Sequence, residues 1–293
     1  MTESMRRIIA VNHIFKHAGT TLARIMRGNF GKGFVDHLGL IERGVRTIQP
    51  LADCIRREPN IKAVEIHHFF YDRFDMDGVA VDNILLLRDP WARIRSTYDF
   101  CRVSTEQLLH PYASKMNLAE FIRFIAFEWG RGHCDNFVTR CLNNKGDSKI
   151  ACRKPAPQVM PQTIERMRSV EILGVVERFD ETMILAEEHL RPFFPDIDMA
   201  YVPANVTKKS NRSLHTDGHD TFREILGDEV FENIQERCAL DFELLAEANR
   251  EMDRRIAQVI DFQDKLQAFQ DRCLARRTGS FVPKEASNGS TTR

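Results

Sequence analysis

Lys16, Gly19, Thr20 and Thr21 stand together in the segment Phe15-Lys-His-Ala-Gly-Thr-Thr21. It lies between an apolar, β-branched run, Ile8 to Ile14, and a stretch, Thr20 to Met26, whose apolar residues recur at helical spacing. A strand that turns tightly into a helix presents the first unpaired helix amides and the positive end of the helix dipole at one point, and that point binds anions, phosphate most naturally. Lys16 adds a full charge, the two threonines add donors, and the small pair Ala18 and Gly19 lets the backbone come close. An ordinary strand-to-helix turn with a chance lysine is the other reading of this segment taken alone. The order Lys-x-x-Gly also differs from the nucleotide-triphosphate loop Gly-x-x-x-x-Gly-Lys-Ser/Thr, in which the lysine follows the glycine.

A second set of anion-binding side chains follows an apolar run, in Asn83-Ile-Leu-Leu-Leu-Arg-Asp-Pro-Trp-Ala-Arg-Ile-Arg-Ser-Thr-Tyr98. Asp89 as N-cap and Pro90 at the first helical position predict a helix start, which places Arg88 at the carboxyl end of a buried strand. Arg93, Ser96 and Thr97 fall at i, i+3 and i+4 and are expected on one helix face. An arginine fork makes two charge-assisted hydrogen bonds to phosphate, and a nearby serine adds another donor. If the two strands are neighbours, Arg88 and Ser96 form a second phosphate site beside the Lys16 turn.

The third candidate group is the adjacent pair His67 and His68, at the end of the strand pattern Lys62-Ala-Val-Glu-Ile-His-His68. Neighbouring strand residues face opposite ways, so one histidine can point into a cleft and act as base while the other faces away. Both could equally cap a strand end or satisfy core hydrogen bonds.

The elements that must position these groups read as an α/β chain. Its 293 residues suffice for one large domain, with 42 Lys and Arg against 42 Asp and Glu, so no global basic field points to nucleic acid. No run approaches about 18 apolar residues, and the expectation is a cytoplasmic chain without a membrane span. Seven scattered cysteines lack the close pairs of a zinc site and read as free thiols. A helix begins near Pro50, Gly28 to Gly33 reads as a loop, Leu118 to Cys141 reads as one or two helices, and Asp180 is a candidate N-cap after the strand Ile172 to Val176. From Phe222 to Arg276 the pattern is helical, with Leu245, Met252, Val259, Leu266 and Cys273 on a heptad-like seam interrupted by Arg255. The seam calls for a partner, either the rest of the chain or a second copy in a homodimer. One domain over 1–276 and a disordered tail over 277–293 complete the expected layout.

Strand, Lys-x-x-Gly-Thr-Thr, helix resembles the 5'-phosphosulfate loop of sulfotransferases that use 3'-phosphoadenosine 5'-phosphosulfate (PAPS), with Phe15 where that family usually has proline. Arg88-Asp-Pro-x-x-Arg-x-x-Ser-x-Tyr98 resembles the family's 3'-phosphate signature. His68-Phe-Phe-Tyr71 resembles the His-x-x-Tyr segment of its carbohydrate, uronyl 2-O-type members.

The resemblance implies a P-loop-like sulfotransferase fold, a central, mostly parallel sheet flanked by helices with a long C-terminal helix. It also implies PAPS as co-substrate, a sugar hydroxyl as acceptor, and His68, or failing that His67, as base; a cytoplasmic chain without a membrane anchor would instead take a glycan precursor, a glycolipid or a small metabolite. Lys16 would stabilise the leaving phosphate oxygen. Lys16, His17, Ala18, Gly19, Thr20 and Thr21 would hold the 5'-phosphate, Arg88 and Ser96 the 3'-phosphate, and Lys208 and Lys209 would close over the cofactor. No metal is required by this scheme, because sulfuryl transfer has less charge to neutralise than phosphoryl transfer from ATP. The rivals are a nucleotide kinase that uses Asp89 for magnesium, and a non-catalytic nucleotide-binding assembly protein.

Overall fold

The computed structural model describes residues 5–45, 48–67, 76–130, 132–143, 157–203 and 218–279. In chain order the elements begin with β1 (Arg6–His13), α1 (Gly19–Phe30), β2 (Phe34–Val35), α2 (His37–Glu42), α3 (Ile48–Arg57), β3 (Ala63–His67), β4 (Val79–Leu87) and α4 (Pro90–Val103). They continue with α5 (His110–Ala113), α6 (Leu118–Phe127), α7 (Phe137–Asn143), α8 (Met160–Arg168), β5 (Ile172–Val175) and α9 (Phe179–Leu190). The last four are α10 (His219–Leu226), α11 (Asp228–Arg237), α12 (Ala239–Ile256) and α13 (Phe262–Thr278).

The short apolar strands pair into one five-stranded sheet, all parallel, in the order β2-β3-β1-β4-β5. Strands this apolar must be covered on both faces, and alternate residues of β4 serve two cores. Ile84 and Leu86 pack with residues of α1, α9 and α13. Leu85 and Leu87 pack with residues of α7, α8 and α12. A third cluster lies beyond the sheet, where Trp91 stacks on Phe222 and Phe231 with ring centres 4.9 Å from each and donates Nε1–H to Gln235. That cluster anchors α4, whose N-terminus carries Asp89 and Pro90 as the residue types predict: the Asp89 carboxylate accepts from the Ala92 amide at 2.9 Å.

Three expectations are corrected. Gly28 lies inside α1, which runs on to Phe30. The N-cap position of α9 belongs to Arg178; Asp180 sits in the first turn, where it accepts the Tyr201 hydroxyl at 2.8 Å. The single long C-terminal helix is four helices, and the seam breaks between Ile256 and Phe262, where Asp261 has a left-handed backbone, φ 54°. Arg255 interrupts the seam because it serves another element: its guanidinium donates to the carbonyls of Arg168, Val170 and Glu171 at 2.8, 3.0 and 2.9 Å. The seam's partner is the chain itself, since Met252, Phe262, Phe269 and Cys273 are buried in the two sheet cores. Six cysteines are free and buried, and Cys152 lies outside the described residues. Among the described residues no helix is long and apolar enough to cross a membrane.

Candidate functional site

β1 is paired on one side with β3 and on the other with β4, so the carboxyl ends of three adjacent strands open at one place. The chain runs to one side of β1 for β2 and β3 and to the other for β4 and β5, and in open parallel sheets that point of reversal is where ligands bind. A cavity of about 460 Å³ lies there, lined by Lys16, Ala18, Gly19, Thr20, Thr21, His67, Arg88 and Ser96. The Lys16 turn, the arginine and serine of the second motif, and one histidine of the predicted pair therefore share one space. The same wall includes His13, Phe15, Phe100, Gln107, Val176, Phe179 and Tyr201, of which only Phe15 was singled out by the sequence motifs. His68, Lys208 and Lys209 lie outside the described residues.

The turn holds two non-glycine residues in the left-handed region, Lys16 at φ 69° and Ala18 at φ 61°. Each costs about 1 kcal/mol or more, and such strain persists only where the surroundings hold it in place. Arg88 Nη1 donates to the Lys16 carbonyl at 2.9 Å across 72 residues of sequence and so fastens the turn to the end of β4. The His17 amide is committed to the Ile14 carbonyl and the Thr21 amide to that of Ala18. Among the described residues, the amides of Ala18, Gly19 and Thr20 keep no backbone acceptor, which is the usual state of a helix start and leaves them for a ligand. His17 was expected to offer its amide, which is committed to Ile14, and its side chain does not take the role over: the ring is buried, donates Nδ1–H to the Phe15 carbonyl at 2.9 Å, and is absent from the cavity wall.

Phe15, the departure from the proline of the resembled loop, acquires a role here. Its ring meets Phe100 edge-on at 6.0 Å, and Lys16 Nζ lies 4.0 Å from the centre of the Phe100 ring. Burial, aided by the nearby Arg88 charge, lowers the Lys16 pKa to about 8. A phosphate ligand would favour the charged amine, so binding takes up a proton above that pH. For a phosphate ligand such as 3'-phosphoadenosine 5'-phosphate (PAP), the kind the resemblance implies, the affinity would change little between about pH 7 and 8 and fall above it. The fall approaches about tenfold per pH unit, the limit for one linked proton. Calorimetric titration between pH 6.5 and 9.5 checks this, and Lys16→Arg should remove the decline.

Arg88 has most of its side chain buried, and its Nε stands 3.7 Å from Glu177, too far for a hydrogen bond. Burial raises the Glu177 pKa against the pull of that arginine, and the long 3.7 Å separation leaves the guanidinium open to an incoming anion. Ser96 faces the same space, one turn along α4. Arg93 and Thr97 do not join it. The Arg93 guanidinium is buried 4.4 Å from the Phe137 ring centre and donates to the His133 carbonyl, while Thr97 Oγ1 donates to the Arg93 carbonyl at 3.0 Å. The predicted common face is divided because a 100° step per residue lets Ser96 look outward while Arg93 and Thr97 look inward.

At the β3 side of the cavity stands a cluster of which only His67 was expected from the sequence. Glu65 and His67 share one face of β3, and His13, in register with His67, shares it from β1. Glu65 Oε1 lies 2.7 Å from His13 Nδ1 and 3.4 Å from His67 Nε2, and the two imidazole rings meet edge-on at 4.0 Å. His37 stacks on His67 with ring centres 4.4 Å apart. Burial would raise the Glu65 pKa, but hydrogen bonds from His13 and then His67 outweigh it and bring the value to about 2, while burial lowers that of His13. The three side chains place their donor atoms within 4.8 Å of one another, near enough for a single cation to touch all three. The signal for the cluster was the i, i+2 spacing of Glu65 and His67; its third member depends on which strand pairs with β3.

The chain is 24% identical over 211 residues to an uncharacterized protein of Archaeoglobus fulgidus, a match that covers 69% of this chain and 81% of that protein. No protein-family model matches the chain.

Proposed function

We propose that the chain is a PAPS-dependent sulfotransferase with a P-loop-like sulfotransferase fold, which moves a sulfuryl group to an acceptor hydroxyl, that of a sugar or glycoconjugate in the first instance. The observation that carries this reading is the meeting of two anion-binding motifs in one cavity: the turn from Lys16 to Thr21 and the pair Arg88 and Ser96. Two phosphate sites on one ligand suit a nucleotide phosphorylated at both its 5' and 3' ends, which is what separates the sulfate donor from ATP.

In this reading the amides of Ala18, Gly19 and Thr20 hold the 5'-phosphate, and Lys16 neutralises the charge that develops on the phosphate oxygen as sulfur departs. Arg88 holds the 3'-phosphate with the part of its fork that is not occupied by the Lys16 carbonyl, and Ser96 adds a hydroxyl. The attacking hydroxyl enters from the side of the histidine cluster. The kinase reading would need Asp89 for magnesium, yet its carboxylate already caps α4 through the Ala92 amide at 2.9 Å.

Calorimetry on the full chain tests the proposal. PAP should bind without magnesium, and magnesium-ATP should bind at least about tenfold more weakly, a difference of roughly 1.4 kcal/mol. A preference for magnesium-ATP would overturn it.

A further inference from the structure

We propose that His13, held in one tautomer by Glu65, is the general base that removes the proton from the attacking hydroxyl, with His67 as a buttress of the pair. This assignment rests on the sulfuryl-transfer reading. Three observations lead to it. First, the Glu65 carboxylate lies 2.7 Å from His13 Nδ1, so the proton of the neutral ring sits on Nδ1 and the lone pair sits on Nε2. Second, His13 lines the cavity, and among the described residues its Nε2 has no hydrogen-bond partner yet is not a sealed atom. Third, the ring lies against the start of α1: a Cβ at Gly19 would fall 2.1 Å from His13 Nε2, which sets that nitrogen beside the amides assigned to the 5'-phosphate.

His67 is less suited to the task. Its Nε2 faces the same Glu65 oxygen at 3.4 Å, and its ring is in contact with both His13 and His37. A metal centre is the competing use of the cluster. Two ligands held at about 2.05 Å with a tetrahedral angle stand about 3.3 Å apart, whereas 2.7 Å between His13 and Glu65 is a hydrogen-bond distance. The charged and titratable groups facing His13 are Glu65 and His67 from β3 and Lys16 and His17 from the turn. Burial outweighs Glu65 and keeps the ring neutral and able to accept a proton, and the ionised Glu65 then stabilises the imidazolium that forms.

The step balances as follows. The acceptor oxygen forms a bond to sulfur, its proton passes to His13 Nε2, and the sulfur–oxygen bond to the 5'-phosphate breaks with its electron pair on the phosphate oxygen beside Lys16. The proton on His13 leaves to solvent after product departure.

The test uses the full chain labelled with nitrogen-15 in histidine. Long-range proton–nitrogen spectra, assigned with His13→Gln, should show His13 with protonated Nδ1 and bare Nε2, and Glu65→Gln should scramble that tautomer. His13→Gln should bind PAP within about threefold of wild type. Turnover of PAPS with concentrated glycerol as a generic hydroxyl acceptor should fall by about 10² to 10⁴ in kcat with KM for PAPS little changed. Glu65→Gln should lose rate in parallel with the tautomer, and Glu65→Asp should recover part of both. A protonated Nε2, or His13→Gln turning over at more than a tenth of the wild-type rate, overturns the assignment. So does one equivalent of cobalt(II) bound by wild type with tetrahedral absorption bands and lost in His13→Gln. Absence of PAP binding by the wild-type chain overturns the donor reading itself, and the assignment with it.

Discussion

Arg88→Ala is expected to weaken binding of PAP by about 100-fold or more. A hydrogen bond to a charged group contributes about 1.5 to 3 kcal/mol, which alone corresponds to a factor of roughly 10 to 150, and Arg88 is placed to act twice. Part of its fork is free for the ligand, and Nη1 also holds the Lys16 carbonyl at 2.9 Å, keeping Lys16 in its left-handed conformation. Removal therefore takes away a ligand contact and releases the strained turn that aims the amides of Ala18, Gly19 and Thr20. Arg88→Lys restores a charge without the fork, so it should recover only part of the loss and remain at least about tenfold weaker than wild type. Thermal unfolding of both variants separates this from a folding defect. The melting temperature should fall by no more than a few degrees, because the arginine is only loosely paired with Glu177 at 3.7 Å and the hydrogen bond lost from the Lys16 carbonyl is partly offset by release of the strained turn. Affinity of Arg88→Ala within threefold of wild type would show that Arg88 does not touch the nucleotide.

The contrast between what could and could not be read from the chain follows from how local each cause is. Asp89 and Pro90 announce α4 through a cap three residues long, and the apolar runs before Lys16 and Arg88 announce strands through composition alone. Both were legible, and once β1 and β4 pair, Lys16 and Arg88 have to meet. The inward turn of Arg93 depends on Phe137 and the His133 carbonyl, 40 residues and more away, and no spacing rule carries that information. The C-terminal seam was visible as a repeat, but its two halves pack on different elements, α12 on β5 and α13 on α9, and Arg255 binds carbonyls just before β5, none of which the repeat encodes. Glu65 shows the same limit. As a lone carboxylate in an apolar strand it had no evident role until the parallel register set His13 beside it. The cap at Asp89 acts through one turn of backbone and was legible, the cap expected at Asp180 falls on Arg178 instead, and groups that act through strand pairing required the sheet.

Gly19→Ala should abolish detectable nucleotide binding, although it is a favourable change on local grounds. Gly19 opens α1 with an ordinary backbone angle, and alanine in a helix is worth up to about 1 kcal/mol over glycine. Against that gain, the new Cβ would lie 2.1 Å from Nε2 and 2.2 Å from two carbons of the His13 ring, so the ring or the helix start must move. The ring cannot yield cheaply, since Glu65 holds Nδ1 at 2.7 Å and the His67 ring meets it edge-on with centres 4.0 Å apart. Overpacking of this kind costs about 1 to 3 kcal/mol, which exceeds the propensity gain, and its relief displaces the Gly19 and Thr20 amides from the ligand. Two measurements check this: thermal unfolding, expected to fall by several degrees, and PAP titration, expected to show no binding at concentrations that saturate wild type. The double variant His13→Ala/Gly19→Ala removes the ring that the methyl meets. It should regain nucleotide affinity to within about tenfold of wild type without regaining turnover, because the clash is relieved while the base is gone. If the double variant binds no better than Gly19→Ala alone, the contact between His13 and Gly19 is not what requires glycine at this position.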